Sequence, residues 1–210
     1  ERAAGKKLNP AQRKELEELR ALMLGKKVLT SGRTVWLGGT DTAKDRESSM
    51  FNCSFTNVET VYDVVDVQWL LLQGCGVGFR PITGTLNGFF RPIENIEVIR
   101  STKTLGANGE FEKGREGNVE AFEDGVWTIS VGDSAEAWAK AIGKLIAGKY
   151  GANKLVFDFT EIRPAGVRLK GYGWISSGDE AISTAYVAIA HRSEERSGGK
   201  ECRYRWWPEA

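Results

Sequence analysis

The sequence predicts an α/β protein, because strand-like and helix-like runs alternate along it. Two stretches carry the prediction. A helix-spaced run at Val61 to Leu72 stands between a short strand-like run at Phe51 to Phe55 and the glycine cluster Gly74 to Phe79, which leads toward a second strand. A second helical run opens at Asp133-Ser134-Ala135-Glu136 and is followed by the β-prone Leu155-Val156-Phe157-Asp158-Phe159. Strands joined through helices need crossover connections, so at least some pairing should be parallel. No internal repeat interrupts the pattern.

The elements read in order as follows. Asn9-Pro10 opens a helix, with Asn as N-cap and Pro in the first turn. Leu16, Leu19, Leu22 and Met23 share one of its faces, and Gly25 stops it ahead of Lys26-Lys27. Arg33-Thr34-Val35-Trp36-Leu37 is short and β-prone, and Gly38-Gly39-Thr40-Asp41 follows as a loop. Phe51-Asn52-Cys53-Ser54-Phe55 alternates large and small residues, as a two-faced strand does. Gly74-Cys75-Gly76-Val77-Gly78-Phe79 turns from the helix at Val61 to Leu72 into a second strand. Thr83 to Val131 reads as irregular β structure with a polar loop from Leu105 to Asn118. The capping-box pattern at Asp133 to Glu136 starts a helix with Trp138, Ile142, Leu145 and Ile146 on one face. Ile162-Arg163-Pro164 ends the strand at Leu155 to Phe159, and a glycine-rich loop spans Gly171 to Gly178. Ala181 to Ala190 begins another helix.

Composition narrows the function classes. The chain has 210 residues, 41% hydrophobic and 27% charged, which suits one domain or a fragment of a larger one. A net charge of +1 gives no general attraction to nucleic acid or to a membrane surface. No apolar run, Trp69-Leu70-Leu71-Leu72 included, approaches the roughly 20 residues of a membrane span. Glu1 to Lys7 lacks the apolar stretch of a signal peptide. Cys53, Cys75 and Cys202 are too scattered for a disulfide scaffold or a zinc site, so no metal site is expected and a reducing, cytoplasmic setting is. A single histidine, His191, excludes mechanisms that need a His pair within this chain.

Two features could carry chemistry. The glycine cluster at Gly74 to Gly78 fits neither the dinucleotide fingerprint nor a P-loop, and alone it reads as a turn between helix and strand. Cys53, alone, reads as a small buried hydrophobe.

Together and in order, five motifs say more. They are Arg33 to Asp41, Phe51 to Phe55, Gly74 to Phe79, Asp158-Phe159-Thr160-Glu161-Ile162-Arg163-Pro164, and Gly173-Trp174-Ile175-Ser176-Ser177-Gly178. This series resembles the first half of the catalytic barrel of class II ribonucleotide reductases, the adenosylcobalamin-dependent kind, and especially the monomeric type that reduces ribonucleoside triphosphates. The resemblance runs from about Leu16 to Ala190. It implies the N-terminal part of a ten-stranded α/β barrel, incomplete here. The implied layout is a helical segment at 1–30, the first part of the barrel at 31–190 with an effector-type insertion near 83–131, and a non-native tail at 191–210. The tail resembles translated sequencing-adapter DNA; a genuine charged and disordered tail is the other reading.

The resemblance also implies roles. Cys53 matches the first member of a reducing cysteine pair, which protonates the departing 2′-hydroxyl and shares two electrons with a second thiol. Asn52 and Thr34 match substrate contacts. Gly76 matches a glycine whose backbone lies against the nucleotide. Gly173, Ser176, Ser177 and Gly178 match a loop near the effector region, and a plain turn explains them equally well. Implied partners are a ribonucleotide substrate, a deoxynucleotide effector and a thioredoxin-like reductant, with neither nucleic acid nor membrane. The implied cofactor is adenosylcobalamin, with its contacts and the thiyl cysteine lying outside this chain. Cys75 departs from the small residue usual at its position and is not expected to be catalytic. Gly171-Tyr172-Gly173-Trp174 departs from the usual glycine pair. Alone, the chain is expected to be inactive and to leave apolar faces and strand edges uncovered. Two rivals stand beside this reading: a fragment of a class I reductase or glycyl-radical enzyme, and a non-catalytic nucleotide-binding or structural module.

Overall fold

The computed structural model describes residues 7–82, 93, 95–169 and 174–197. Helix α1, Pro10–Leu24, is closed by a reciprocal capping box. The Asn9 side chain accepts from the Gln12 amide at 2.8 Å, and the Asn9 amide donates to Gln12 Oε1 at 3.0 Å. Its apolar face does not become core: Leu16, Leu19 and Leu22 are all exposed.

Residues Arg33 to Leu37 form a helix, α2 (Gly32–Leu37), where propensity pointed to a strand. Capping at both ends outweighs the β-branched residues. Ser31 Oγ accepts the Thr34 amide at 3.3 Å, and the Gly38 amide closes the last turn on the Thr34 carbonyl at 3.0 Å. Gly38 is required there, because a Cβ would lie 2.4 Å from the Thr34 oxygen. Gly38 to Thr40 turn as expected, and Thr40 then caps a short helix, α3 (Asp41–Asp45), which takes in Asp41 from the end of the expected loop. A 3-10 turn at Glu47–Met50 leads into strand β1, Cys53–Val58.

Helix α4, Val61–Leu72, begins where Thr60 and Asp63 cap each other. Asp63 Oδ2 accepts the Thr60 amide at 2.7 Å and the Thr60 hydroxyl at 2.9 Å. The helix ends at Gly74, whose φ of +78° suits a residue without Cβ. Strand β2, Gly76–Pro81, pairs with β1. The Gly76 amide donates to the Asn52 carbonyl at 2.9 Å and the Ile82 amide to the Val58 carbonyl at 3.0 Å. Both bonds span the same separation along the chain, the mark of parallel strands, so β1-α4-β2 is a βαβ unit.

The second sheet has the order β3-β6-β5-β4, from Asn95–Ile99, Lys154–Asp158, Val126–Ser130 and Val119–Glu123. β6 pairs in parallel with both β3 and β5, and β4 is antiparallel to β5. Asp124 and Gly125, with φ of 49° and 77°, make the two-residue turn between β4 and β5. Positive φ at both positions matches the right-handed twist of a hairpin. Trp127, Ile129, Leu155 and Phe157 form the centre of the core and are fully buried.

Helices α5 (Ala135–Ala147) and α6 (Glu180–Ser197) add Ile142, Leu145, Ile182 and Tyr186 to that core. The α5 cap differs from the expected box by one residue. Ser134, not Asp133, is the N-cap and accepts the Ala137 amide at 3.0 Å. Asp133 is drawn away by Arg163, which grips it at 2.8 and 3.0 Å, and Glu136 pairs with Lys140 instead. Tyr186 donates to the Trp138 carbonyl at 2.6 Å, and burial pushes its phenol well up, so the ring stays neutral.

The fold is thus mixed α/β, with both parallel and antiparallel pairing. The chain divides into two compact units. One lies within Glu1–Phe55 and Leu70–Gly78, and the other within Thr56–Trp69, Phe79–Leu169 and Gly173–Ala210. The large core belongs to the second. The first buries Leu37, Ser49, Gln73 and Cys75.

Candidate functional site

The first unit holds Thr34, Asn52, Cys53 and Gly76. Cys53 is the first residue of β1, and its thiol is free and exposed, not buried as a lone strand cysteine would suggest. The bond from the Gly76 amide to the Asn52 carbonyl pairs Cys53 with Gly76. Paired residues of parallel strands share a face, so Cys53 faces a residue without a side chain. Two residues on, Phe55 faces Gly78, and a Cβ on Gly78 would lie 3.2 Å from the Phe55 ring. Cys53, Phe55, Gly76 and Gly78 are all exposed, so this face of the βαβ unit is open.

Gly76 differs from most of the described glycines. A Cβ there would meet only the Asn52 oxygen, at 3.6 Å, and its φ is not positive. Neither backbone geometry nor internal packing requires glycine. What a side chain at 76 would take away is the free space beside the Cys53 thiol.

Cys75 is a different kind of cysteine. It is 2% exposed, and burial pushes its thiol up, with the nearby Cys53 adding to the rise and Arg33 opposing it. Its Sγ lies 3.5 Å from the Gly76 carbonyl. A buried, protonated thiol is a poor nucleophile.

Thr34 stands exposed in the first turn of α2, and its Oγ1 lies 2.9 Å from Ser31 Oγ. Its hydroxyl is therefore already engaged in the cap.

Arg33, which the sequence offers only as the first residue of a motif, joins the segments that lead into β1 and β2. Its guanidinium donates to the Ser49 carbonyl at 2.7 Å, to the Gln73 carbonyl at 3.5 Å, and by a short bond to the Gly74 carbonyl. Beside it the Ser49 hydroxyl bonds Gln73 Oε1 at 3.1 Å, both residues being buried. No local sequence signal marks such a residue, since its acceptors are backbone oxygens 16, 40 and 41 positions away.

The described part of the glycine-rich loop, residues 174–178, lies in the second unit. Ser176 exchanges backbone bonds with Val167 and Gly166 at 2.7 and 2.9 Å, and its hydroxyl accepts the Gly178 amide at 3.1 Å. Gly178 has φ +72°, and a Cβ would press on the Ala165 backbone at 3.1 Å. Both residues thus have full structural work in a turn. Ser177 is exposed, and Gly173 lies outside the described residues. Next to the loop, Asp179 accepts from Arg100 at 2.6 and 3.1 Å and from the Ser101 amide at 2.9 Å. Burial alone would raise the Asp179 carboxyl, but these donors outweigh it and hold it below the usual range.

The polar loop from 105 to 118 is pinned, not loose. Glu161 Oε2 accepts the Arg115 amide at 3.0 Å and lies 3.5 Å from Lys103 Nζ. Gly114 passes so close to the Glu161 carbonyl that a Cβ could not be placed. An open concavity of about 550 Å³ lies against Thr102, Lys103, Thr104, Glu110 and Phe111. Among the described residues no cluster of His, Cys, Asp and Glu could hold a metal ion, and no helix is long and apolar enough to cross a membrane.

No family model matches the chain. Its sequence is similar to proteins named adenosylcobalamin-dependent ribonucleoside-triphosphate reductase. That of Lactobacillus helveticus is 24% identical over 89% of this chain and 29% of its own length. That of Lactobacillus gasseri is 25% identical, with the same coverage. A protein of Mycobacterium phage D29, named a putative enzyme of this kind, is 27% identical over 84% of the chain and 26% of its own length. The fold is similar to that of a solved B-12 dependent (class II) ribonucleotide reductase, with a TM-score of 0.68 at 18% identity, over 92% of this chain and 32% of that one. The resemblance drawn from the five motifs is therefore found in whole-chain comparison, and the chain spans about 29% of the length of the first two relatives.

Proposed function

We propose that this chain is part of a class II ribonucleoside-triphosphate reductase, and that it contributes Cys53 as one of the two thiols that reduce the ribonucleotide. One observation carries the assignment of the site: a free, exposed thiol faces a glycine that the fold itself does not need. The named reductases among its relatives support the reaction class.

The overall change is a two-electron reduction. A ribonucleotide and two thiols give a deoxyribonucleotide, a disulfide and water. The Cys53 Sγ–H donates its proton to the departing 2′-hydroxyl, the C2′–O bond breaks, and water leaves. The sulfur then joins a second cysteine in a disulfide, and the two electrons go to C2′ of the sugar together with the second thiol's proton. That second thiol lies outside this chain's described residues, because Cys75 is buried. A thioredoxin-like dithiol exchanging with the disulfide restores the pair.

In this reading Gly76 leaves room for the ribose against the backbone of β2, and Asn52 offers its exposed side chain to the substrate. Thr34 contributes by its position on α2. Ser177, one of the exposed residues of the glycine-rich loop, faces the effector deoxynucleotide, while Ser176 and Gly178 hold the turn that presents it. The sheets form the first part of a ten-stranded barrel at 31–190, with a helical segment at 1–30, an insertion near 83–131 and a non-native tail at 191–210. The working place of the enzyme is the cytoplasm, where thiols stay reduced.

Adenosylcobalamin, named for the relatives, does not fit the residues described here. The concavity at Thr102 to Glu112 is open, and Lys103 beside it is committed to Glu161. No step is assigned to the cofactor through this chain; its binding belongs to the rest of the longer protein.

The test is Cys53→Ser in the complete protein, assayed for deoxyribonucleotide formation with a ribonucleoside triphosphate. Loss of a positioned proton donor and redox partner predicts a fall of at least about 100-fold with nucleotide binding retained. Unchanged turnover would instead favour a binding or structural module with an idle thiol.

A further inference from the structure

We propose that Arg33 is the positioning residue of the thiol site, holding the approaches to β1 and β2 together so that Cys53 comes to lie opposite Gly76. The proposal rests on the reductase reading for its consequence in catalysis, but the clamp itself stands on geometry.

Two stretches of chain lead to the Cys53–Gly76 pair. One is the 3-10 turn Glu47–Met50, ahead of β1. The other is the end of α4 and the Gly74-Cys75 turn, ahead of β2. Neither is held to the other by strand pairing, which starts with the bond from Gly76 to Asn52. The Arg33 guanidinium bridges them. Arg33 Nη1 takes the Ser49 carbonyl on one side and the Gln73 carbonyl on the other, and Nη2 takes Gly74. The Ser49 hydroxyl and the Gln73 side-chain oxygen add a buried bond beside it, at 3.1 Å.

The residue type matters. The last carbonyls of a helix lack partners within it and carry the negative end of its dipole. A cation there satisfies both needs. Only arginine presents a planar fork that serves several carbonyls at once; a lysine offers a point charge that cannot span them. Arg33 is itself fixed, in the first turn of the Ser31-capped α2. The chain of support runs from α2 through Arg33 to both strand approaches, and from there to the thiol.

The experiment compares the complete protein with Arg33→Ala and Arg33→Lys. Three readouts are taken together: hydrogen exchange at the Gly76 amide, alkylation of Cys75 by iodoacetamide mapped by mass spectrometry, and thermal midpoint. The proposal expects exchange and Cys75 alkylation each to rise at least about tenfold in Arg33→Ala. It expects them to return toward the parent on adding methylguanidinium, and Arg33→Lys to fall between the two. A structural role without positioning would lower the midpoint and respond to no added guanidinium. Exchange and alkylation that stay at parental rates in both variants overturn the clamp, and so does a defect that methylguanidinium leaves untouched. If Arg33→Ala does not fold, Arg33→Lys with the same readouts decides. Turnover is read in parallel. A complete protein without reductase activity removes the catalytic consequence alone, because exchange and alkylation still report on the clamp.

Discussion

The Gly76 amide donates to the Asn52 carbonyl at 2.9 Å, and a Cβ on Gly76 would touch only that same oxygen, at an ordinary 3.6 Å. The pairing that places Cys53 is thus independent of what side chain stands at 76. Gly76→Ala should leave stability within about 0.5 kcal/mol of the parent, as surface substitutions do. In the complete protein it should raise KM for the ribonucleotide, and Gly76→Val should do so more. Calorimetry and steady-state kinetics on the same preparations check both halves. A fall in stability matching the fall in activity would give Gly76 a structural role instead.

Gly143 in α5 is the opposite case. A Cβ there would lie 2.5 Å from Val65 Cγ2 of α4, and a β-branched side chain in a helix has little freedom to turn aside. Replacing a mid-helix glycine by alanine gains about 0.5–1 kcal/mol in backbone terms. Overpacking costs about 1–3 kcal/mol. The clash should win, so Gly143→Ala lowers the thermal midpoint. Adding Val65→Ala should recover part of the loss, and a double-mutant cycle in urea measures the coupling.

Asp133 is 3% exposed and depends on Arg163, which holds both carboxylate oxygens at 2.8 and 3.0 Å. Arg163→Met would leave a buried carboxylate without its cation, at a cost of about 3–5 kcal/mol. Asp133→Asn combined with Arg163→Met should cost less than Arg163→Met alone, because no stranded charge remains. Denaturant unfolding of the three variants gives the comparison.

Acid should weaken the second unit at the junction of β3 with α6. The Asp179 carboxyl is held below its ordinary 3.8, because the Arg100 and Ser101 donors outweigh its burial. A carboxylate lowered in the folded state stabilises fully above the unfolded value and loses that contribution as pH falls through the folded one. Asp179→Asn should therefore lower the midpoint near neutral pH, and the gap to the parent should close as pH drops below about 3.8. Thermal melts across that range report it. A gap that stays constant would mean that the pair contributes packing alone.

Local signals made much of the fold readable. α1 and α4 follow their caps and apolar spacing, and α5 is off by one residue only because Arg163, thirty positions away, claims Asp133. The error at Arg33 to Leu37 has a related cause. Val35 and Trp36 favour a strand in isolation, but Ser31 and Gly38 cap a single helical turn around them. The hairpin at Asp124-Gly125 was legible from its turn dipeptide and was read only as irregular β structure. At the candidate site, Cys53 and Gly76 could be named from motif order, yet their pairing across β1 and β2 comes from the register of two strands. Arg33 was beyond reach, because backbone carbonyls leave no mark in a sequence.

The central claim is that Cys53 gives up electrons to the ribonucleotide. The direct measurement is a single turnover of the complete, prereduced protein with a ribonucleoside triphosphate and no external reductant, followed by mass spectrometry of the Cys53 peptide. The account predicts deoxyribonucleotide formed in proportion to Cys53 converted to a disulfide, with Cys75 still a free thiol. Product formed while Cys53 remains reduced would contradict it.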